Sequence, residues 1–189
     1  MSKINVYKKQ FHYYRTLAEK AVSQISEKQL FEVPSQESNS IAVIVKHMAG
    51  NMLSRWTNIY ESDGEKSWRN RDDEFVNTFH SKEELFKYWI KGWTKLEETL
   101  DSVNDSDLDK IIYIRNMGCT LHDAIIRQIS HYAYHVGQIV FLARLLKGSG
   151  FKSLSIPKNQ SEGYNKERFA KEKTIKHFVD DVKENPAKL

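Results

Sequence analysis

Four long stretches of the sequence repeat apolar residues in alternating steps of three and four, the spacing that puts side chains on one face of an α-helix. The first stretch runs from Ile4 to Ile25 without a proline or a glycine. Its apolar positions are Ile4, Tyr7, Phe11, Tyr14, Ala18, Ala21 and Ile25. An apolar helix face must be covered to be stable in water, so this pattern predicts helices that pack against one another.

The other three stretches each follow a residue that favours helix N-termini. Ser40 precedes the second and Thr120 precedes the fourth, while Ser81 and Glu84 together predict a capping box ahead of the third. The three helices are expected at residues 41–59, 82–103 and 121–147. Four helices with one apolar face each predict an all-α four-helix bundle. Surplus aromatic residues such as Trp89 and Trp93 on a bundle face predict a homodimer.

Other parts of the chain lack a helical period. Residues 61–80 are dense in charge and predict a long surface connection, a kind of segment that often carries function. The β-branched and aromatic run IIYIR at 111–115 predicts a short extended piece. The bundle is expected over about 1–148, and a C-terminal extension over about 149–189 should contain a proline-centred turn and a short helix around 166–180. Together they are expected to form one domain, 1–189.

Composition excludes several classes of protein. With 40% hydrophobic and 29% charged residues the chain is typical of a soluble globular protein, and no apolar run is long enough for a membrane span. A net charge of +4, spread along the chain, does not indicate a nucleic-acid surface. A cytoplasmic location and no membrane or nucleic-acid partner are therefore expected. Because Cys119 is the only cysteine, an internal disulfide and a cysteine-rich zinc site are excluded.

Three histidines lie at matching positions beside the apolar faces of two predicted helices. His131 and His135 are four residues apart, which separates them by about 40° around a helix and places both at one edge of the core stripe. His47 has the same offset on the second helix. Three imidazoles can therefore meet where the helices pack, and three such ligands leave open positions on a divalent metal. Histidines near a core are also commonly just hydrogen-bonded to a neighbour, so a structural role stays open.

The remaining candidates have weaker patterns. Four other histidines lie in charged, capping or oppositely directed positions and are expected to be structural or solvated: His12, His80, His122 and His177. No Asp or Glu projects beside the three histidines on the predicted helices, so no general base and no other catalytic residue is assigned.

The residues around the histidines also carry a family resemblance. KHMAGNM at 46–52 and LHDAIIRQISHYAYHVGQIVFLARLL at 121–146 resemble the DinB-like superfamily, also called the YfiT-like metal-dependent hydrolases. The pattern HxxxHxGQ at 131–138 is the most specific part, and the tail at 151–165 resembles an uncharacterised branch. The resemblance implies an up-down-down-up bundle, often dimeric, with nickel or zinc on three histidines that match His47, His131 and His135.

The chemistry implied by this resemblance is of two kinds. Some members resemble S-transferases or an isomerase that use bacillithiol, mycothiol or glutathione, and others are labelled hydrolases. A thiol S-transferase with a small-molecule substrate is the first expectation; a hydrolase and a non-catalytic metal- or ligand-binding protein are the alternatives. Candidates for contact with an anionic thiol cofactor or for orienting the ligands are Arg127, Tyr134, Gln138, Gln128, Arg69 and Arg71.

Overall fold

The computed structural model describes residues 2–180 and is mostly helical. Its helices are α1 (Lys3–Val22), α2 (Glu27–Phe31), α3 (Ile41–Trp56), α4 (Lys82–Asp101), α5 (Leu121–Lys147) and α6 (Ser161–Phe169), and its two strands are β1 (Ile111–Ile114) and β2 (Met117–Thr120). The mostly helical fold agrees with the sequence pattern. Residue 1 and residues 181–189 of the predicted domain lie outside the described residues.

The expected caps start three of the four long helices. The hydroxyl groups of Ser40, Ser81 and Thr120 each accept a hydrogen bond from the backbone N–H three residues on. The predicted capping box at Ser81 is incomplete, because the Glu84 carboxylate accepts from the backbone N–H of His80 instead. A full capping box forms at Ser26, the N-cap residue of α2, which begins at Glu27 after α1 has ended at Val22.

The four long helices contact one another in a closed ring. α1 packs on α5 and α3 packs on α4, while α3 also contacts α5 and α1 also contacts α4. One hydrophobic cluster joins them, with large aromatic side chains at its centre. Within residues 2–180 these contacts surround one common core. The four-helix bundle and its up-down-down-up order of helix directions stay predictions.

The two tryptophans expected at a dimer face belong to this core. Trp89 and Trp93 are 1% and 0% exposed and pack edge to face with ring centroids 5.4 Å apart. The assignment of these residues to a surface was wrong, because an apolar helix face looks the same in sequence whether its own chain or a second chain covers it.

The extended segment before α5 is one strand of a hairpin. β1 pairs antiparallel with β2, from Ile111 opposite Thr120 to Ile114 opposite Met117. Arg115 and Asn116 make the turn with φ of 54° and 60°. Asp63 accepts the backbone N–H groups of both turn residues, so the connection between α3 and α4 is fastened to the hairpin.

The C-terminal extension differs from expectation. Its helix α6 covers Ser161–Phe169 and so overlaps only the start of the helix predicted around 166–180. Residues 171–177 are not helical, and helical residues resume at 178–180, so the single helix predicted over this range is wrong in its middle part. The run KEKTIKH offers no apolar face to bury, and Ile175 is fully exposed. Without burial, a helix of this length has little to stabilise it. No helix within residues 2–180 is long and apolar enough to cross a membrane.

Candidate metal centre

The structure brings together the three histidines that the sequence pattern selected. His47 comes from α3, and His131 and His135 come from successive turns of α5. The Nε2 atom of His131 lies 3.4 Å from that of His47 and 3.0 Å from that of His135. The ligand atoms of all three lie within 4.8 Å of one another, close enough for one cation to contact all of them.

Hydrogen bonds on the far side of two rings fix which nitrogen faces the centre. The Nδ1 atom of His47 donates to Oε2 of Glu74 at 2.9 Å. The Nδ1 atom of His135 donates to Oε1 of Gln138 at 2.8 Å, and the Gln138 amide in turn donates to the Tyr134 hydroxyl. A proton on Nδ1 leaves the Nε2 lone pair free for a metal, so the donor set fits a divalent cation.

Burial keeps two of the imidazoles neutral. Loss of solvent around His131, followed by the neighbouring His135 and His47, lowers its pKa to about 3. Loss of solvent also lowers the pKa of His135 to about 4, although its bond to Gln138 acts in the opposite direction. Only a neutral imidazole binds a metal, so both rings are in the ligand form at neutral pH.

Glu74 is the residue that sequence reasoning missed. It lies in a short 3-10 turn (Asp72–Phe75) of the connection and is 5% exposed. Its Oε2 accepts from Nη2 of Arg69 at 2.8 Å as well as from His47, and its Oε1 accepts from Nε of Arg69 at 2.8 Å. Burial raises the pKa of Glu74, but the hydrogen bonds from His47 and Arg69 outweigh this and the net shift is downward.

The expectation that no acidic residue lies beside the histidines was therefore wrong. Helical projection places residues only on helices, and Glu74 reaches His47 from an aperiodic segment. A usable signal was Gly50, one turn after His47 on a buried helix face. A side chain there would overlap the Glu74 carboxylate, so glycine leaves the space that Glu74 fills. Phe75 stacks on one face of the His47 imidazole, with ring centroids 4.7 Å apart.

The other candidate residues divide into bound and exposed groups. Arg69, one of the candidates for contact with a thiol cofactor, has a side chain only 3% exposed and is held by Glu74 and Glu65. Gln138 supports His135, and Gln128 is buried in the interior. Tyr134 and Arg127 are exposed on α5, and Arg71 is exposed over the Phe75 ring.

The four remaining histidines do not belong to the cluster. His122 shares a 2.8 Å hydrogen bond with the Tyr7 hydroxyl, and His177 stacks on Phe178 in the tail. His12 and His80 are exposed. The candidate metal ligands are therefore the three histidines of α3 and α5, with Glu74 and Gln138 behind them.

Comparison with known proteins places the chain in a family. A family model described as "Protein of unknown function (DUF1572)" matches residues 2–160, so the chain belongs to the DUF1572 family. DUF1572 is a DinB-like family. A search of curated proteins found no match.

Proposed function

We propose that this member of the DUF1572 family is a metal-dependent thiol S-transferase that binds one divalent cation, nickel or zinc, on His47, His131 and His135. One observation carries the proposal: three Nε2 atoms converge while Glu74 and Gln138 hold the Nδ1 protons of two of the rings. A purely structural histidine cluster has no need for this arrangement of protons. The finer assignment to the DinB-like superfamily, suggested by HxxxHxGQ, supports the same reading.

The centre lies near solvent on one side. His47 is buried, whereas His131 and His135 are partly exposed, so the histidines face solvent on the α5 side. Bound there, a divalent cation lowers the pKa of a coordinated thiol so that the thiolate forms at neutral pH. The exposed Tyr134 and Arg127 lie on the same helix and are placed to contact the rest of a thiol cofactor, while Gln138 acts on His135.

The hydrogen bonds that the Glu74 carboxylate already accepts favour thiol transfer over hydrolysis. A divalent cation deprotonates a coordinated thiol outright but lowers the pKa of coordinated water only to about 7, so attack by water depends more on a base that takes the proton. Both oxygens of Glu74 already accept hydrogen bonds from His47 and Arg69, and its lowered pKa makes it a weak base. Among the described residues, His131 and His135 make hydrogen bonds only with histidine and Gln138. A thiol that loses its proton on binding needs no such base.

The test is conjugation of a thiol to a chromogenic aryl halide by zinc- or nickel-loaded protein. Glutathione, coenzyme A and bacillithiol are compared as thiols. A chelator removes the metal, His131→Ala removes one of its ligands, and His122→Ala is the matched control outside the site. We expect acceleration with at least one thiol, abolished by the chelator and by His131→Ala and retained by His122→Ala. Ester hydrolysis without thiol transfer would make the chain a hydrolase, and metal binding without either activity would make it a binding protein.

We also propose that the chain forms a homodimer through the outer face of α5. Exposed apolar side chains lie along this face, namely Ile126, Phe141 and Leu145. Gly137 lies among them with nothing within 4 Å of its Cβ position, so a helix of a second copy can approach closely. Light scattering at micromolar concentration should give twice the chain mass for the wild type and the chain mass for Phe141→Glu. A monomeric wild type contradicts the dimer.

A further inference from the structure

Arg55 is a buried charge without adequate partners. It lies on α3 and is 5% exposed, yet its Nε and Nη1 atoms have no hydrogen-bond partner in the described part of the chain. The third nitrogen, Nη2, lies 3.9 Å from Oε2 of Glu65, too far for a hydrogen bond. Burial lowers the pKa of Arg55, as expected for a cation removed from water without full pairing.

The neighbouring carboxylates are engaged elsewhere. Glu65 accepts two hydrogen bonds from Nη1 of Arg69, at 2.9 and 3.2 Å, and also pairs with Arg115 at 3.3 Å. Asp63 accepts three backbone N–H groups, two of them from the hairpin turn. Arg69, buried to a similar degree, donates to two carboxylates. The two arginines therefore differ in pairing and not in burial.

Arg55 lies in the part of α3 that packs against α5. The Tyr132 hydroxyl of α5 accepts a hydrogen bond from Nε1 of Trp56 at 3.2 Å and donates to Oδ1 of Asn51 at 3.1 Å, and these two residues of α3 lie on either side of Arg55 in the sequence. One turn before His131 on the same helix, Gln128 is 2% exposed and its Oε1 atom is also without a partner. Unsatisfied donors and an unsatisfied acceptor thus lie on the two helices that hold the three histidines.

Such groups are costly unless a ligand completes them. A buried donor without a partner destabilises a protein by roughly 1–3 kcal/mol, and more when it is charged. Nε and Nη2 of an arginine form one edge of the guanidinium, which matches the two oxygens of a carboxylate. Within the described residues, Nε of Arg55 has no partner and Nη2 has only the 3.9 Å contact with Glu65. The Gln128 carbonyl oxygen accepts an N–H or O–H group. The complementary ligand is a carboxylate with a hydroxyl or amino group beside it.

We propose that Arg55 and Gln128 form an anion subsite next to the three-histidine centre, which binds the α-hydroxy- or α-amino-carboxylate group of a small thiol. Arg55 takes the two carboxylate oxygens and Gln128 takes the adjacent O–H or N–H. The subsite rests on the proposed function for the thiol part of this ligand, whereas carboxylate binding by Arg55 does not require the metal.

The test is calorimetric binding of matched probes to the full chain. 3-Mercaptolactate and 1-thioglycerol both carry a thiol and a hydroxyl, but only the first has a carboxylate, and lactate has the carboxylate without the thiol. We expect the wild type to bind 3-mercaptolactate at least about tenfold more tightly than 1-thioglycerol, the gain of a charge-assisted pair. Lactate should bind both the metal-loaded and the metal-free protein.

Two variants locate the effect. In Arg55→Met the preference for 3-mercaptolactate should fall to about twofold or less, with metal content unchanged. Arg144→Met, at an exposed arginine of α5 that has no role in the proposed function, should keep the full preference. Equal binding of the two thiols by the wild type, no binding of lactate, or a preference that survives in Arg55→Met would each overturn the subsite. The wild-type comparison decides the matter even if Arg55→Met fails to fold. Lactate binding lost in Arg55→Met, in a protein without thiol transfer, would support the subsite and reject the proposed function.

Discussion

The connection between α3 and α4 and the C-terminal extension are both long, charged and largely non-helical, yet they have opposite relations to the core. The connection buries Lys66, Arg69 and Glu74, and two of these, Arg69 and Glu74, lie behind His47 of the candidate metal centre. The extension buries few residues, such as Leu154 and Val179, and exposes Phe169 and Ile175. Charge is costly to bury without a partner, so the buried charges of the connection mark it as part of the site.

The largest expected difference between these regions is the effect of removing a single carboxylate on stability and metal affinity. Glu74→Ala leaves the Arg69 guanidinium buried with half its partners and frees the His47 ring. Breaking a buried pair in this way costs about 3–5 kcal/mol of unfolding free energy. Loss of the group behind a ligand weakens metal binding by about 10- to 100-fold. Urea denaturation of the metal-free protein and zinc calorimetry measure the two effects.

The matched control in the extension is Glu162→Ala, at an exposed position of α6. Neither the urea midpoint nor the zinc affinity should change measurably. If Glu74→Ala behaves like Glu162→Ala, the connection is no more than a surface loop and the contrast between the two regions disappears.

A pair of glycines sharpens the same contrast with a smaller effect. Gly50→Ala places a methyl group where the Glu74 carboxylate lies, so Glu74 must leave His47 and zinc affinity should fall by about tenfold. Gly163→Ala in α6 meets nothing within 4 Å and should leave zinc affinity unchanged while stabilising the helix by up to about 1 kcal/mol. Zinc calorimetry on both variants measures this difference. If Gly50→Ala binds zinc as tightly as Gly163→Ala, the position of Glu74 beside His47 does not depend on Gly50.

Acid should act on the site before it acts on the extension. His131 and His135 have a pKa of about 3 and about 4 in the folded chain and an ordinary value near 6.5 when unfolded. The unfolded state therefore binds more protons below about pH 6.5, and the stability of the metal-free protein should fall from there toward pH 4. Urea midpoints at pH 7, 6 and 5 should decline less in the double variant His131→Ala/His135→Ala. An equal decline would place the acid-sensitive groups elsewhere.

The smallest effect is expected where the extension touches α1. Lys9 and Asp180 form an ion pair with Nζ to Oδ1 of 2.7 Å, and both side chains are partly exposed. Solvent screens such a pair, so Asp180→Asn should leave the urea midpoint and the zinc affinity within experimental error. A clear loss of zinc affinity would mean that the extension also supports the metal centre.

The sequence predicted the helices and the three histidines because both follow from helical periodicity. An apolar face with a period of 3.6 residues fixes the angle at which every other side chain leaves the helix, so His47, His131 and His135 could be placed relative to the core. The same reasoning found the caps at Ser40 and Thr120. These features are local, since each depends on residues within a few turns.

What was missed depends on contacts between distant segments. Glu74 reaches His47 through a turn without a period, and its place is set by Gly50 and Arg69. The strand β2, MGCT, has no alternation of its own and is defined by its pairing with β1. Trp93 shows a second limit of prediction from sequence. Its apolar neighbours predicted that it would be buried, but they did not show whether its own chain or a second chain would cover it.

The central claim, that His47, His131 and His135 bind one divalent cation, is tested most directly by the metal content of purified protein. Wild type, His47→Ala and His122→Ala are reconstituted with zinc or nickel, freed of excess metal by gel filtration and analysed for metal per chain. We expect one metal per chain in the wild type and in His122→Ala, and almost none in His47→Ala, which should remain folded by circular dichroism because a core of this size does not depend on a metal. Full occupancy in His47→Ala, or no metal in the reconstituted wild type, would contradict the account.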